Sequence, residues 1–153
     1  MAGADLEAVR EMALRCLDHR AYGTAELKAR LLRKGADEAT IDEVLARLTR
    51  VGLLDDTKYA ASLVAEHHGV RQKSRQATAL EMRRRGLDPE VIEAAVAGID
   101  DADDLESARH LAGQKARRLA GLDKAVAWRR LSAALARKGY DVEVVSAVVR
   151  EVL

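Results

Sequence analysis

Phenylalanine is absent from this 153-residue chain, and tryptophan, proline and cysteine occur once each. With aromatics so scarce, a core has to be assembled from Leu, Val, Ile and Ala, the composition of a helical bundle. A lone cysteine cannot form a disulfide within the chain, and Cys16, on an apolar helical stripe, reads as an inert buried thiol. No apolar run is long enough for a membrane span or a signal peptide, so a cytoplasmic protein with no membrane contact is expected. Catalytic patterns are missing too: there is no phosphate-cradling glycine loop, no nucleophile elbow and no histidine in a triad setting. His67 and His68 are adjacent, about 100° apart on a helix, which is the wrong spacing for a shared metal. The acidic run Asp100-Asp101-Ala102-Asp103-Asp104 lacks the alternate ligand spacing and central glycine of a calcium loop. The expectation is therefore a protein that is not an enzyme, with no catalytic residues, no metal and no cofactor.

What the chain does have is internal repetition. Leu31-Leu-Arg-Lys-Gly35-Ala-Asp37 returns as Met82-Arg-Arg-Arg-Gly86-Leu-Asp88 and again as Leu135-Ala-Arg-Lys-Gly139-Tyr-Asp141. The register holds beyond the glycines: Ile41, Ile92 and Val145 follow at six residues, Leu45, Val96 and Val149 at ten, Leu48, Ile99 and Val152 at thirteen. Self-similarity at a fixed period marks a repeat array whose neighbours share buried faces. Nothing alternates in a sustained strand pattern, so the fold expected is all-α, three tandem three-helix repeats over 5–52, 53–100 and 101–153 in an elongated, curved array.

Each repeat has readable punctuation. In the first, a stripe of Val9, Met12, Ala13, Cys16 and Leu17 makes one helix, Thr24 caps a second that ends at left-handed Gly35, and Asp37 opens a third. In the second, a helix from Asp55 or Asp56 through His68 precedes one capped by Ser74 and ended by Gly86, and Asp88-Pro89 starts the last. The third has helices from about Leu105 to Ala120, from Asp123 to Lys138, and from Asp141 onward. Trp128 falls near the Leu131/Leu135 side and reads as core packing.

A net charge of +1 conceals segregation. Arg71–Gly86 holds six bases and one acid, Asp88–Glu106 eight acids and no base, Lys115–Lys138 eight bases and one acid. Such blocks set local potential far more than the overall balance does. Arg33-Lys34, Arg84-Arg85 and Arg137-Lys138 recur before each glycine, where last-turn cations complement the helix dipole. That explanation does not reach Arg71, Lys73 and Arg75, cations at a helix start, nor Lys115, Arg117, Arg118, Arg129 and Arg130. An anionic partner is expected there, nucleic-acid phosphate or an acidic protein surface; with so few aromatics, any DNA contact should be to backbone, salt-dependent and indifferent to sequence. Asp100 to Glu106 reads as a linker plus helix N-terminus, a negatively charged hinge between the second and third repeats.

Gly52-Leu53-Leu54-Asp55-Asp56-Thr57-Lys58-Tyr59-Ala60, followed by Ser74 to Leu80 and then Met82 to Asp88, resembles the signature of the RecX family of bacterial recombination regulators. The signature positions carried over are Asp55, Asp56, Tyr59, Ala60 and Gly86, and the likeness runs from about Met12 to the end. The resemblance implies tandem three-helix repeats that bind the RecA recombinase filament, suppress its ATP hydrolysis and strand exchange, and touch single- and double-stranded DNA weakly, the protein acting as a monomer. On this reading Arg71, Lys73, Arg75, Arg84 and Arg85 make the main basic contact, extended by Lys115, Arg117, Arg118, Arg129, Arg130, Arg137 and Lys138. Two alternatives stand beside it: a helix-turn-helix-like DNA-binding regulator, disfavoured by the glutamates Glu38, Glu90 and Glu143 at the starts of the third helices, and a non-catalytic helical adaptor.

Overall fold

A computed structural model describes residues 2–153, with side chains from Asp5 onward. Among the described residues there are nine α-helices, one π-helical segment and no strand: α1 (Ala2–His19), α2 (Thr24–Arg33), α3 (Glu38–Arg50), α4 (Asp56–Leu63), the π-helical segment Val64–Val70, α5 (Arg75–Arg84), α6 (Pro89–Val96), α7 (Asp101–Arg118), α8 (Lys124–Arg137) and α9 (Val142–Val152). The fold is an all-α repeat.

The three recurring glycines end their helices in one way. Ala36, Leu87 and Tyr140 donate their N–H to the carbonyls of Leu31, Met82 and Leu135, while Gly35, Gly86 and Gly139 donate to Leu32, Arg83 and Ala136. All three glycines have positive φ, +89°, +77° and +94°. This double closure satisfies two carbonyls left open by the helix end and favours a residue without Cβ. Helix starts are capped by side-chain oxygens: Asp37 takes Thr40 N–H at 3.1 Å, Asp55 takes Lys58 at 3.1 Å, Ser74 takes Ala77 at 3.0 Å and Asp141 takes Val144 at 3.0 Å. Each cap is local, within three residues of the amide it serves.

Helix α2 departs from that rule and corrects the assignment of Thr24 as its cap. Thr24 lies inside the helix; its N–H and hydroxyl both donate to Asp56 Oδ1, at 2.9 and 3.1 Å. A carboxylate from the start of α4 thus supplies the acceptor at the start of α2, and its negative charge suits that dipole end.

The chain divides into two compact units, Met1–Ser62 with Met82–Ile92, and Leu63–Glu81 with Glu93–Leu153. The first has a core of Val9, Ala13, Cys16, Leu27, Leu31, Ile41, Val44, Leu45, Leu48 and Leu54. The second has Ala108, Leu111, Ala112, Leu131, Leu135, Tyr140, Val145, Val148 and Val149, with half-buried Trp128 packed against them. The middle helices are shared out, α5 and α6 each crossing the division.

Close approach at two of the recurring glycines builds these units. A Cβ on Gly86 would stand 2.9 Å from Ala25 Cβ at the start of α2; one on Gly139 would stand 2.5 Å from Ala77 Cβ and 2.6 Å from Ser74 Oγ at the start of α5, whereas Gly35 faces open space. At the second joint Ser74 N–H donates to Lys138 O at 2.8 Å and Ser74 Oγ to Gly139 O at 2.9 Å. The turn after one repeat's second helix is therefore seated on the start of an earlier second helix.

Candidate basic interaction sites

The basic block at the start of α5 is organised by the second unit. Gln72 has φ +57°, and its carbonyl accepts Tyr140 OH at 2.6 Å, while Ser107 Oγ lies 3.0 Å from the same phenol. Lys138 Nζ donates to Arg71 O at 2.7 Å. The ammonium thereby comes among other cations: burial, then Lys115, Lys73 and Arg71, holds Lys138 below the ordinary lysine range. Four of the residues singled out from sequence, Arg71, Lys73, Lys115 and Lys138, thus form one electropositive cluster. Arg71 also pairs with Glu66 at 3.0 Å, an exposed bridge that leaves it within reach of solvent. Lys115, Arg118 and Arg130 line a small adjoining concavity of about 170 Å³ floored by Leu119, Leu131 and Ala134. Arg117, Arg129 and Arg137 are exposed on α7 and α8.

Arg75 does not join the cluster. Its guanidinium donates to Ile99 O at 2.7 Å and Asp101 Oδ1 at 2.9 Å, and its backbone N–H to Asp104 Oδ1 at 2.9 Å. The anion expected at this helix start belongs to the same chain. The hinge reading of Asp100 to Glu106 changes with it. Asp100 caps α7, exchanging hydrogen bonds of 2.7 and 3.1 Å with Asp103, and Asp104 holds the start of α5. The acidic block is the opening of a helix and an anchor for Arg75.

The first unit holds a basic cleft of its own. Arg84 and Arg85 line a cleft of about 440 Å³ together with Arg20, Arg30 and Arg33, and with Tyr22, Ala25, Glu26, Ala29 and Gly86. Arg20 lies over the Tyr22 ring at 3.6 Å and donates to Ala21 O at 2.7 Å, Glu26 Oε2 at 3.2 Å and Tyr59 OH at 3.3 Å. Arg85 donates to the same Tyr59 oxygen at 2.7 Å. Burial, then the neighbouring Glu26 carboxylate, raises the Tyr59 phenol above its ordinary value, so it stays neutral. Nothing in the sequence marks Arg20 or Arg30 for a binding role, and Arg33 stands out there only as a member of the recurring basic pairs before the glycines. Arg30 and Arg33 share a helix face by their spacing of three, but only the seat of Gly86 on Ala25 brings the end of α5 to them.

The signature positions are joints of this scaffold. Asp55 caps α4, Asp56 holds Thr24, Tyr59 receives Arg20 and Arg85, Ala60 is fully buried and Gly86 meets Ala25. The histidines diverge: His68 Nδ1 lies 2.9 Å from Lys73 O, whereas His67 is 2 % exposed and neither ring nitrogen has a partner.

Comparison with known proteins agrees along the length of the chain. Residues 10–48, 55–96 and 101–149 match, in order, the first, second and third three-helix domains of RecX. The chain is 41% identical over 144 residues to regulatory protein RecX of Mycobacterium ulcerans (strain Agy99), covering 94% of this chain and 83% of that protein. It is 35% identical over 148 residues to regulatory protein RecX of Streptomyces coelicolor, covering 97% and 79%. The crystal structure of RecX from Lactobacillus salivarius superposes with a TM-score of 0.81 over 98% of this chain and 97% of that one, at 21% identity.

Proposed function

The chain belongs to the RecX family, and from that premise we propose that it modulates, mainly by inhibition, the RecA recombinase, binding the nucleoprotein filament and suppressing its ATP hydrolysis and strand exchange. It acts in the cytoplasm as a monomer, by attachment and not by turnover, and no helix among the described residues is long and apolar enough to cross a membrane. The observation that carries the reading is the cluster of Arg71, Lys73, Lys115 and Lys138, drawn together where Lys138 Nζ donates to Arg71 O at 2.7 Å, with the neighbouring cations adding to burial in lowering the Lys138 ammonium. Cations that repel one another in the free protein are relieved when an anion arrives, so the cluster favours phosphates or carboxylates of a polymer. Arg118 and Arg130 extend it, and exposed Arg117, Arg129 and Arg137 add to the field of the second unit. Because these side chains present charge without an aromatic platform, the accompanying DNA contact is to backbone and without sequence preference. Four phosphate contacts on single-stranded DNA give a log–log salt slope of about −3.

The test is the rate of ATP hydrolysis by DNA-bound RecA, titrated with this protein and with Arg71→Glu/Lys73→Glu/Lys115→Glu. The wild-type chain should suppress hydrolysis and the variant should do so only at much higher concentration. A recombinase that runs undisturbed beside the wild-type chain overturns the function. Equal suppression by both proteins overturns the cluster as its carrier.

A further inference from the structure

We infer that the arginine cleft of the first unit is a docking site for an acidic peptide segment of a partner protein, separate from the lysine-containing cluster of the second unit. At about 440 Å³ the cleft has the size of a formed ligand site, and five of its ten lining residues are arginines, with no lysine among them. Guanidinium is a planar fork that takes a carboxylate through two parallel hydrogen bonds, a geometry an ammonium cannot offer. Arg20 and Arg85 build the wall: Arg20 is stacked on Tyr22 and bonded to Ala21 O and Glu26, and both arginines donate to the Tyr59 oxygen. The one carboxylate in the lining, Glu26, is committed to Arg20 at 3.2 Å and to Gly23 N–H at 3.2 Å. Arg30 and Arg33 have no carboxylate partner among the described residues and are exposed in the last turn of α2, where the helix dipole favours cations. Their backbone positions stand about 4.5 Å apart along one face of the helix, close enough for both forks to serve a single extended chain.

The size of the site favours a peptide over a duplex: a duplex carries its phosphates on a convex rod, whereas carboxylates on flexible stems reach into a cleft of about 440 Å³. Tyr22, the one aromatic ring in the lining, already carries the Arg20 guanidinium, so a single strand finds only backbone contacts here, as at the second unit's cluster, and the oligonucleotide arm of the test measures that contribution.

Fluorescence anisotropy of a labelled, alternating Asp/Glu peptide, with an oligothymidylate of equal charge as the comparison, tests the site without any recombinase, so its failure stands apart from failure of the filament reading. Arg30→Ala/Arg33→Ala should weaken the peptide by about tenfold or more while leaving the oligonucleotide within about twofold. Arg71→Ala/Lys73→Ala should do the reverse. Arg30→Lys/Arg33→Lys, which keeps charge and loses the fork, should still weaken the peptide measurably. Unchanged peptide affinity in Arg30→Ala/Arg33→Ala overturns the site, and equal losses for peptide and oligonucleotide make nucleic acid its occupant. Wild-type affinity in the lysine variant overturns fork recognition, and displacement of the peptide by millimolar inorganic phosphate reduces the cleft to a small-anion site.

Discussion

Gly139→Ala separates two demands that the repeat glycines meet together. The first is backbone conformation: at φ +94° an L-residue costs about 1–2 kcal/mol relative to glycine. The second is space. The new Cβ would stand 2.5 Å from Ala77 Cβ and 2.6 Å from Ser74 Oγ, where comfortable carbon contacts begin at about 3.5 Å. Ser74 Oγ could rotate away only by giving up its bonds to Gly139 O and Ala77 N–H, and Ala77 has no rotamer to change. The start of α5 must therefore shift by roughly 1 Å, an overpacking that costs about 1–3 kcal/mol. Gly139→Ala should lose about 2–5 kcal/mol by these two effects together. Gly35→Ala, at φ +89° with nothing within 4 Å of the added carbon, should lose only the backbone part, about 1–2 kcal/mol. Urea unfolding followed by far-ultraviolet circular dichroism measures both, and Trp128 fluorescence reports the second unit, on whose core Trp128 packs. Equal losses for the two variants would refute the claim that the turn after α8 is seated on α5.

Two other joints yield further expectations. Asp56→Ala removes the acceptor of Thr24 N–H and Oγ1 and should cost about 0.5–2 kcal/mol, more than Thr24→Ala, which leaves the N–H bonded; the same unfolding assay checks the order. His67 is buried with both nitrogens unpartnered, and its pKa is lowered by burial first and then by Lys73, with Arg71 adding to this and Glu66 and Glu81 opposing it. Between that lowered value and the ordinary one of about 6.5, the unfolded chain takes up a proton that the folded chain refuses, so stability falls as pH drops through this window. His67→Leu should remove that dependence and raise stability by about 1–3 kcal/mol; unfolding midpoints on either side of the window decide, and a leucine variant that keeps the slope or loses stability refutes the account.

Local chemistry was legible in the sequence wherever the partner lies within a few residues. The helix ends at Gly35, Gly86 and Gly139 and the caps at Asp37, Ser74 and Asp141 follow from short-range rules, and the structure has all six. Misreadings arose where the partner is remote. Thr24 has the chemistry of a cap, but the oxygen that serves α2 comes from Asp56, 32 residues on. The π-helical segment Val64–Val70 continues α4, and the buried positions Tyr59, Leu63 and His67 keep a spacing of four, so nothing in the buried pattern distinguishes it from the α-helix expected through His68.

The same distinction governs the candidate sites. Arg75 violates the dipole rule, which points to an anionic partner, but the anion is the chain's own: the acidic block supplies it through Asp101, with Asp104 taking the neighbouring N–H. Charge blocks adjacent in a sequence are candidates for each other's partners before they are candidates for a ligand's, and subtracting such pairs leaves the cations free to bind something else. Subtraction removes Arg75 and retains Lys73, Lys115 and Lys138 in the second unit. In the first unit it retains Arg33, one of the recurring pairs, and Arg30, which no pattern announced, because the cleft is assembled from the end of α1, the outer face of α2 and the end of α5. The signature residues Asp56, Tyr59 and Gly86 are what bring those three segments together. Their chemistry is that of joints, and the residues available for recognition are the arginines those joints aim.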